Sequence, residues 1–280
     1  TQSRPTAYSC GPAFAASFRA AREDFRDGRD TPSAFLERFL DEIETQEPSL
    51  HAFVTLARDE ARLAAAQADT RYKAGNPLSA VDGLPIGLKD IIQTEGLPTQ
   101  SGSPIFTGWQ AERDSAVASA LRRGGAVLVG KTATTEFAYG AITPTRNPYD
   151  HNRTPGTSSS GSAAAVGAGM LPLAIGTQLM SSVLRPASYC GHVGVKPTYG
   201  AIRQDGIHPF SPSGEHVGAH AHALEDAWQT LRFLAQEAGP VPGSRGLTGP
   251  EDAPAATMPK RLLRMYTPGW ELADTSVRDA

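Results

Sequence analysis

The chain contains 280 residues, enough for one large α/β domain or two smaller domains with a substantial core. Its formal net charge of -3 and sequence pI of about 6.2 exclude the basic field that suits nucleic-acid binding. The longest apolar runs are too short to span a membrane, and the first ten residues lack the charged-then-apolar pattern of a secretory signal.

The first 75 residues predict three helices with structural roles. The first lies near Phe14–Phe25, and Thr31 followed by Pro32 is typical of the start of the second. A strand or extended segment at His51–Leu56 precedes an alanine-rich third helix, Ala57–Lys73. Apolar residues at helical spacing mark the buried stripe of the second helix: Phe35, Leu36, Phe39, Leu40 and Ile43.

The segment GLPIGLKDIIQTEG contains a lysine in unusual surroundings. An apolar strand delivers Lys89 and Asp90 side by side, with Leu88 before them and Ile91 after. Burial would lower the pKa of Lys89 and make a neutral amine available as a base. A Lys89–Asp90 ion pair at the end of the strand is the alternative, and the segment by itself leaves both open.

A helix at Asp114–Gly125 and a strand, AVLVGKT, come next. Residues Gly125 to Thr132 formally match the phosphate-loop pattern G-x-x-x-x-G-K-T. Such a loop needs small, flexible residues between its glycines, whereas strand-forming residues occupy that space here. We therefore reject a nucleotide site and interpret Lys131 as a residue at the end of a strand.

The rest of the chain is organised around the stretch from Gly156 to Pro186. This stretch begins with a serine-rich turn and continues through small residues suited to a closely packed helix. An apolar strand at Leu171–Gly176 follows, and the stretch ends at a second pair of serines. A flexible linker is the common interpretation of serine clusters, but the apolar residues between these two clusters favour a buried helix and strand.

The remaining segments predict loops, a strand and helices. Phe137–Thr154 is irregular and predicts a loop across the rim of a sheet, and Gly239–Pro259 predicts a linker. RLLRMY, residues 261–266, predicts a strand, and Thr275–Ala280 the first turn of a helix. A longer helix is predicted at Leu224–Glu237. One face of this helix carries Leu224, Trp228, Leu231 and Leu234.

Cysteine and histidine residues offer weaker candidates. Cys10 and Cys190 are too few and too far apart for a disulfide framework, so we expect free thiols in a reducing compartment, the cytoplasm. Cys190 lies in Ala187–Gly200, which predicts a short helix and a strand, and is expected to pack rather than attack. Three histidines could suggest a metal site, but a surface loop or the start of a helix is favoured: His216, His220 and His222.

Several motifs in a fixed order carry a resemblance to a known family. GLPIGLKD, SSSGSAAAVGAG, GTQ, SVLRPASYCG and GVKPTYG together resemble the amidase signature family of serine hydrolases. The resemblance implies a mixed β-sheet flanked by helices in one domain over residues 1–280, incomplete on its C-terminal side. It divides the chain into an N-terminal helical region, a catalytic core, a linker and the start of a later half: residues 1–75, 76–238, 239–259 and 260–280.

The resemblance also implies a catalytic triad without a metal or organic cofactor. Ser182 would be the nucleophile, Ser158 a bridging serine that follows an unusual cis peptide bond, and Lys89 the base. The 24-residue separation between the two serines agrees with the family spacing and selects them within their clusters. Backbone N–H groups would form the oxyanion hole at Leu179, Met180, Ser181 and Ser182. Supporting residues would be Ser159, Ser160, Gln178 and Arg185.

Three adjacent residues depart from the family pattern before the nucleophile. Leu179 stands where threonine is common, and Met180-Ser181 stands where a small residue and a glycine are usual. Leu184 also replaces the more common polar or β-branched residues beside Arg185. These changes add bulk where an acyl group would enter, so they predict altered specificity or a weakened oxyanion hole.

The leading hypothesis is therefore an amidase that hydrolyses a small carboxamide through a serine acyl-enzyme. The alternatives are a catalytically silent scaffold of the same fold and an amidotransferase-type subunit. A Ser–His–Asp hydrolase is weaker, because no G-x-S-x-G turn is present. The expected ligand is a small amide, with neither nucleic acid nor membrane as a direct partner. A second copy or a completing chain is a possible protein partner, because family members are longer.

Overall fold

In the computed structural model, a six-stranded mixed β-sheet lies between helices on its two faces. The structure describes residues 17–211, 213–250, 252–263, 265–266 and 268–278. The helices are α1 (Phe18–Arg26), α2 (Pro32–Leu50), α3 (Arg58–Lys73), α4 (Ala116–Arg123), α5 (Ser160–Gly167), α6 (Leu184–Tyr189), α7 (Leu224–Glu237) and α8 (Thr275–Arg278). The strands are β1 (Phe53–Leu56), β2 (Pro85–Lys89), β3 (Val127–Thr132), β4 (Leu173–Gln178), β5 (Val193–Val195) and β6 (His216–Ala221).

The order of the strands, β1-β3-β2-β4-β6-β5, places β2 at the parallel centre of the sheet. Strand β2 runs parallel to both β3 and β4, while β1, β5 and β6 join by antiparallel pairing. The carboxyl ends of β2 and β4 therefore meet at one edge of the sheet, where ligand sites form in such folds. The expected mixed sheet with flanking helices is confirmed.

Two apolar cores fill the space between the sheet and the helices. One core contains side chains of α2, α3 and α5, and the other contains side chains of α1, α4 and α7 together with Phe35 and Phe39 of α2. Helix α2 begins where the sequence predicts, because the Thr31 hydroxyl accepts a hydrogen bond from the Ala34 N–H at 3.1 Å and Pro32 follows. Its whole predicted apolar stripe is buried.

The structure corrects several predicted elements. Residues 261–266 do not form a strand in their described part, and Leu262 and Leu263 are 83% and 84% exposed. Helix α7 has the predicted bounds, but Leu224 is exposed, because the buried face turns toward Ala227 and Leu231. Strand β4 lies two residues later than expected. Helix α1 begins at Phe18, and the predicted residues 14–16 fall outside the described part of the chain.

No helix within the described residues is both long enough and apolar enough to cross a membrane. Between α7 and Trp270, the described residues form neither an α-helix nor a strand. This irregular stretch includes the predicted linker at Gly239–Pro259. The division of the chain into four regions stays a prediction.

Candidate active site

Lys89 and Ser158 meet at the edge of the sheet where β2 and β4 end. Lys89 is the last residue of β2, and Ser158 lies in the turn that leads into α5. The Lys89 amine donates hydrogen bonds to Ser158 Oγ at 2.7 Å and to Thr177 Oγ1 at 2.9 Å. Lys89 is fully buried and Ser158 is 2% exposed. The amine is therefore shielded from water and faces hydroxyl groups.

Burial decides the protonation of Lys89. Removal from water disfavours the ammonium form and lowers the pKa of Lys89 to about 7, although the charge of the buried Glu215 opposes this shift. A large share of the amine is thus neutral near pH 7. The alternative Lys89–Asp90 pair is wrong, because Asp90 pairs with Lys131 on β3, with their charged atoms 3.5 Å apart.

The neighbouring serines bind the turn to β4 and to Thr143. The peptide bond between Thr157 and Ser158 is cis. The Ser159 hydroxyl donates to the Thr177 carbonyl at 3.2 Å and accepts from the Thr177 N–H at 3.3 Å. The Ser160 hydroxyl accepts from Thr143 Oγ1 at 3.1 Å. The Ser159 and Ser160 hydroxyl groups thus have partners other than Lys89. Ser158 is the serine of this turn that is hydrogen-bonded to Lys89 Nζ.

Glycines allow this close approach. A Cβ atom at Gly161 would lie 2.2 Å from both the Ala133 nitrogen and the Ala52 oxygen, so α5 can lie directly against the strand ends only without a side chain there. A Cβ atom at Gly176 would lie 2.7 Å from Ser159 Oγ. The small-residue composition of this stretch thus has a local cause, which is contact between backbones.

Ser182 lies in the turn between β4 and α6. Gln178 closes this turn, since its side-chain oxygen accepts hydrogen bonds from the N–H groups of Val183 at 2.8 Å and Leu184 at 2.9 Å. Ser182 is half-buried. Within the described part of the chain, no hydrogen bond joins the Ser182 hydroxyl to Ser158.

Two further contacts place the Ser182 turn against the Ser158 turn. The Arg185 guanidinium donates to Thr157 Oγ1, immediately before Ser158. A Cβ atom at Gly156 would lie 2.8 Å from the Cα atom of Pro186, so the two backbones touch there. The two serine clusters that the sequence singles out are therefore neighbours in the fold.

The three atypical residues before Ser182 differ in their surroundings. The Met180 side chain is 84% exposed, whereas Leu179 and Ser181 are half-buried. Leu179 Cδ1 approaches Gly214, where a Cβ atom would lie 2.6 Å away. No described residue accepts a hydrogen bond from the backbone N–H groups of residues 179–182.

Sequence reasoning missed a histidine pair behind this site. His220 lies on β6 and is fully buried, so the predicted surface loop or helix start is wrong. Its Nδ1 lies 2.9 Å from Nε2 of His192. Burial lowers the pKa of His192 to about 4 and that of His220 well below its ordinary value, so both rings are neutral. The alternation of Val217, Ala219 and Ala221 with other residues is the signal for this strand.

The described residues contain no group of three or more His, Cys, Asp or Glu side chains that could hold a metal ion. Cys190 is buried, and burial raises the pKa of its thiol to about 12. A thiolate is therefore strongly disfavoured, and the side chain packs as expected. Cys10 lies outside the described residues.

Comparisons with known proteins agree with this architecture. The Amidase family model matches residues 34–264. A glutamyl-tRNA(Gln) amidotransferase subunit from Anaeromyxobacter sp. (strain K) is 42% identical over 209 residues, covering 72% of this chain and 42% of the relative. The corresponding subunit from Chloroflexus aggregans (strain MD-66 / DSM 9485) is 37% identical over 255 residues, covering 89% and 52%.

Among solved structures, the native peptide amidase from Stenotrophomonas maltophilia superposes with a TM-score of 0.74 at 30% identity. The match covers 88% of this chain and 51% of that one. The chain thus spans about half the length of the proteins that it matches.

Proposed function

Since this chain belongs to the amidase signature family, we propose that it forms the serine-dependent catalytic core of an enzyme that hydrolyses a carboxamide C–N bond. The observation that carries the proposal is the 2.7 Å hydrogen bond between Ser158 Oγ and the fully buried amine of Lys89. A buried neutral amine in contact with a hydroxyl is the arrangement needed to take a proton from a serine.

In the proposed reaction, Ser182 Oγ attacks the amide carbonyl carbon and its proton passes through Ser158 to Lys89. Breakdown of the tetrahedral intermediate breaks the C–N bond, and the proton returns from Lys89 to the leaving amine. Water then hydrolyses the acyl ester and releases the carboxylic acid. The bond from Lys89 to Thr177 Oγ1 holds the amine at the edge of the sheet during these transfers.

The backbone N–H groups of residues 179–182, which donate to no described residue, are the proposed oxyanion hole. Aimed donors of this kind contribute about 3–4 kcal/mol each to the transition state. Gln178 supports them by closing the turn, and Arg185 supports them by joining it to Thr157. Because Leu179 is half-buried and Met180 is exposed, we propose that Leu179 shapes the acyl pocket more strongly than Met180 does.

A fluorophosphonate probe tests the nucleophile directly. The full chain should become covalently labelled, and Ser182→Ala should abolish labelling while the folded structure remains. Ser181→Ala is the matched control, because it removes the adjacent hydroxyl and should keep the labelling. Labelling that survives in Ser182→Ala would exclude this nucleophile, and a folded chain that never labels would instead support a silent scaffold.

A second candidate is an amidotransferase-type subunit, which the names of the curated relatives favour. Such a component would release ammonia from an amide donor and pass it to a partner. Ammonia release from glutamine by the full chain, measured with and without candidate partner proteins, tests this alternative. Strong release only with a partner would favour it over an independent amidase.

We further propose a cytoplasmic setting, because the buried Cys190 is a free thiol. The proposed catalytic core is residues 76–238, preceded by the helical region 1–75 and followed by the linker 239–259. Residues 260–280 are the proposed start of a later half, and a second copy or a completing chain is the proposed protein partner. Light scattering of the isolated chain tests association, and a strictly monomeric, fully active chain would contradict it.

A further inference from the structure

A cavity lies at the other end of β2 from Lys89. It has a volume of about 790 Å³ and is lined by α1, α7 and the segment around Ser79 and Ala80. That segment precedes β2, whereas Lys89 is the last residue of β2. The cavity therefore belongs to the opposite edge of the sheet from the proposed catalytic site. Four arginines line it: Arg19, Arg22, Arg26 and Arg232.

Arg22 has too few partners for its burial. Arg22 is 9% exposed, and its Nε atom has no hydrogen-bond partner among the described residues. One terminal nitrogen donates to the Ser79 carbonyl at a long 3.5 Å, and the guanidinium also contacts the Tyr72 hydroxyl. A guanidinium is always charged and carries five N–H donors. A buried charge with so few acceptors is costly unless an anion accompanies it.

The carboxylates that line the cavity form ion pairs with arginines other than Arg22 and Arg232. Among the described residues, neither Arg22 nor Arg232 lies within ion-pair distance of a carboxylate, and Arg232 donates to the Gly249 carbonyl at 2.6 Å. Each carboxylate that lines the cavity pairs with another arginine: Glu23 with Arg26 at 2.9 Å, Asp252 with Arg19 at 3.1 Å, and Glu237 with Arg123 at 3.6 Å. Arg22 and Arg232 thus have no carboxylate partner among the described residues.

We infer that this cavity binds a small molecule bearing a phosphate group, held by Arg22 and Arg232. A phosphate monoester carries about 1.5 to 2 negative charges at pH 7, which matches two guanidinium groups, whereas a carboxylate carries one. The planar fork of arginine suits bidentate contact with phosphate oxygens. Gln229 and Gln236 also line the cavity and offer amide donors to the remainder of the ligand.

Titration calorimetry on the full chain tests this site with inorganic phosphate, in a buffer of low chloride concentration. Phosphate should bind, and acetate should bind at least about tenfold more weakly because it carries one charge. Arg232→Gln should weaken phosphate binding by about tenfold or more. Arg58→Gln is the matched control, since Arg58 forms an exposed ion pair with Glu44 outside the cavity, and its affinity should be unchanged.

A second measurement, of the melting temperature, tests the role of Arg22. It is needed because replacing this buried residue can also affect folding. Phosphate should raise the melting temperature of the unaltered chain and have no such effect on Arg22→Gln. If Arg22→Gln does not fold, the Arg232→Gln comparison decides. Absence of phosphate binding up to about 10 mM, equal affinity in Arg232→Gln, or equal affinity for acetate would each overturn the inference. None of these results depends on amidase activity.

Discussion

Two lysines on neighbouring strands are equally buried and have different surroundings. Lys89 ends β2, Lys131 lies on β3, and neither has exposed surface. Lys131 donates to the Ile92 carbonyl at 2.8 Å and to Thr99 Oγ1 at 2.7 Å, and it pairs with Asp90. Lys89 instead donates to two hydroxyl groups.

The comparison shows that burial by itself does not make a base. Burial lowers the pKa of both amines, to about 7 for Lys89 and to about 8 for Lys131, where Asp90 opposes the shift. Burial likewise raises the pKa of Asp90 to about 6, against the attraction of Lys131. The adjacent carboxylate makes Lys131 part of a structural ion pair. Lys89 faces a hydroxyl whose proton it can accept.

The largest expected effect is on catalysis. Lys89→Ala should lower the rate of fluorophosphonate labelling at Ser182 by about 10²–10⁴-fold, the usual contribution of a positioned base. Because the substitution also removes a buried amine, circular dichroism should confirm that the fold persists. Lys73→Ala removes an exposed lysine from α3 and should label normally. Undiminished labelling of folded Lys89→Ala would remove this lysine from the mechanism.

The second lysine should affect stability. Lys131→Met leaves the Asp90 carboxylate buried without its cation, so the free energy of unfolding should fall by about 3–5 kcal/mol in a denaturant titration. Adding Asp90→Leu removes the stranded charge and should restore much of the loss. If Lys131→Met lowers the free energy of unfolding no more than a substitution of an exposed lysine does, the ion pair contributes little to stability.

The smallest expected effect is a pH dependence that follows Lys89. Only the neutral amine can accept a proton, so labelling should rise by about tenfold per pH unit below the pKa and level off above it. The midpoint should lie at about pH 7, the pKa to which burial lowers this amine. The labelling rate, measured at a series of pH values, gives this midpoint. A midpoint near the ordinary lysine value would mean that water reaches the amine.

Much of this fold follows from local signals in the sequence. Thr31 and Pro32 mark the start of α2 correctly, and the bounds of α7 agree with its pattern. The residues between the phosphate-loop glycines do form the strand β3, as their β-propensity indicates. Such features depend on neighbours within a few residues, so a single sequence is sufficient to predict them.

Other features depend on which elements pack together. RLLRMY has the composition of a strand, but its described residues pair with no described element, and its leucines are exposed. Strand β6 escapes prediction because histidines are typical of surfaces, and His220 is buried only in the folded chain, where β6 lies between β4 and β5. Ion pairs between strands are equally hidden, since Asp90 is next to Lys89 along the chain and pairs with Lys131 across the sheet.

Residue types and their spacing were sufficient to predict the order of most helices and strands, the two serine clusters and the family resemblance. They were not sufficient to predict which lysine meets a hydroxyl and which meets a carboxylate, since that depends on the packing of β2 against β3 and β4. The burial of His220, and of Arg22 in a cavity without a carboxylate partner among the described residues, likewise emerges only from the folded chain. The physical reason is that desolvation and charge pairing act through space, between residues that the chain separates.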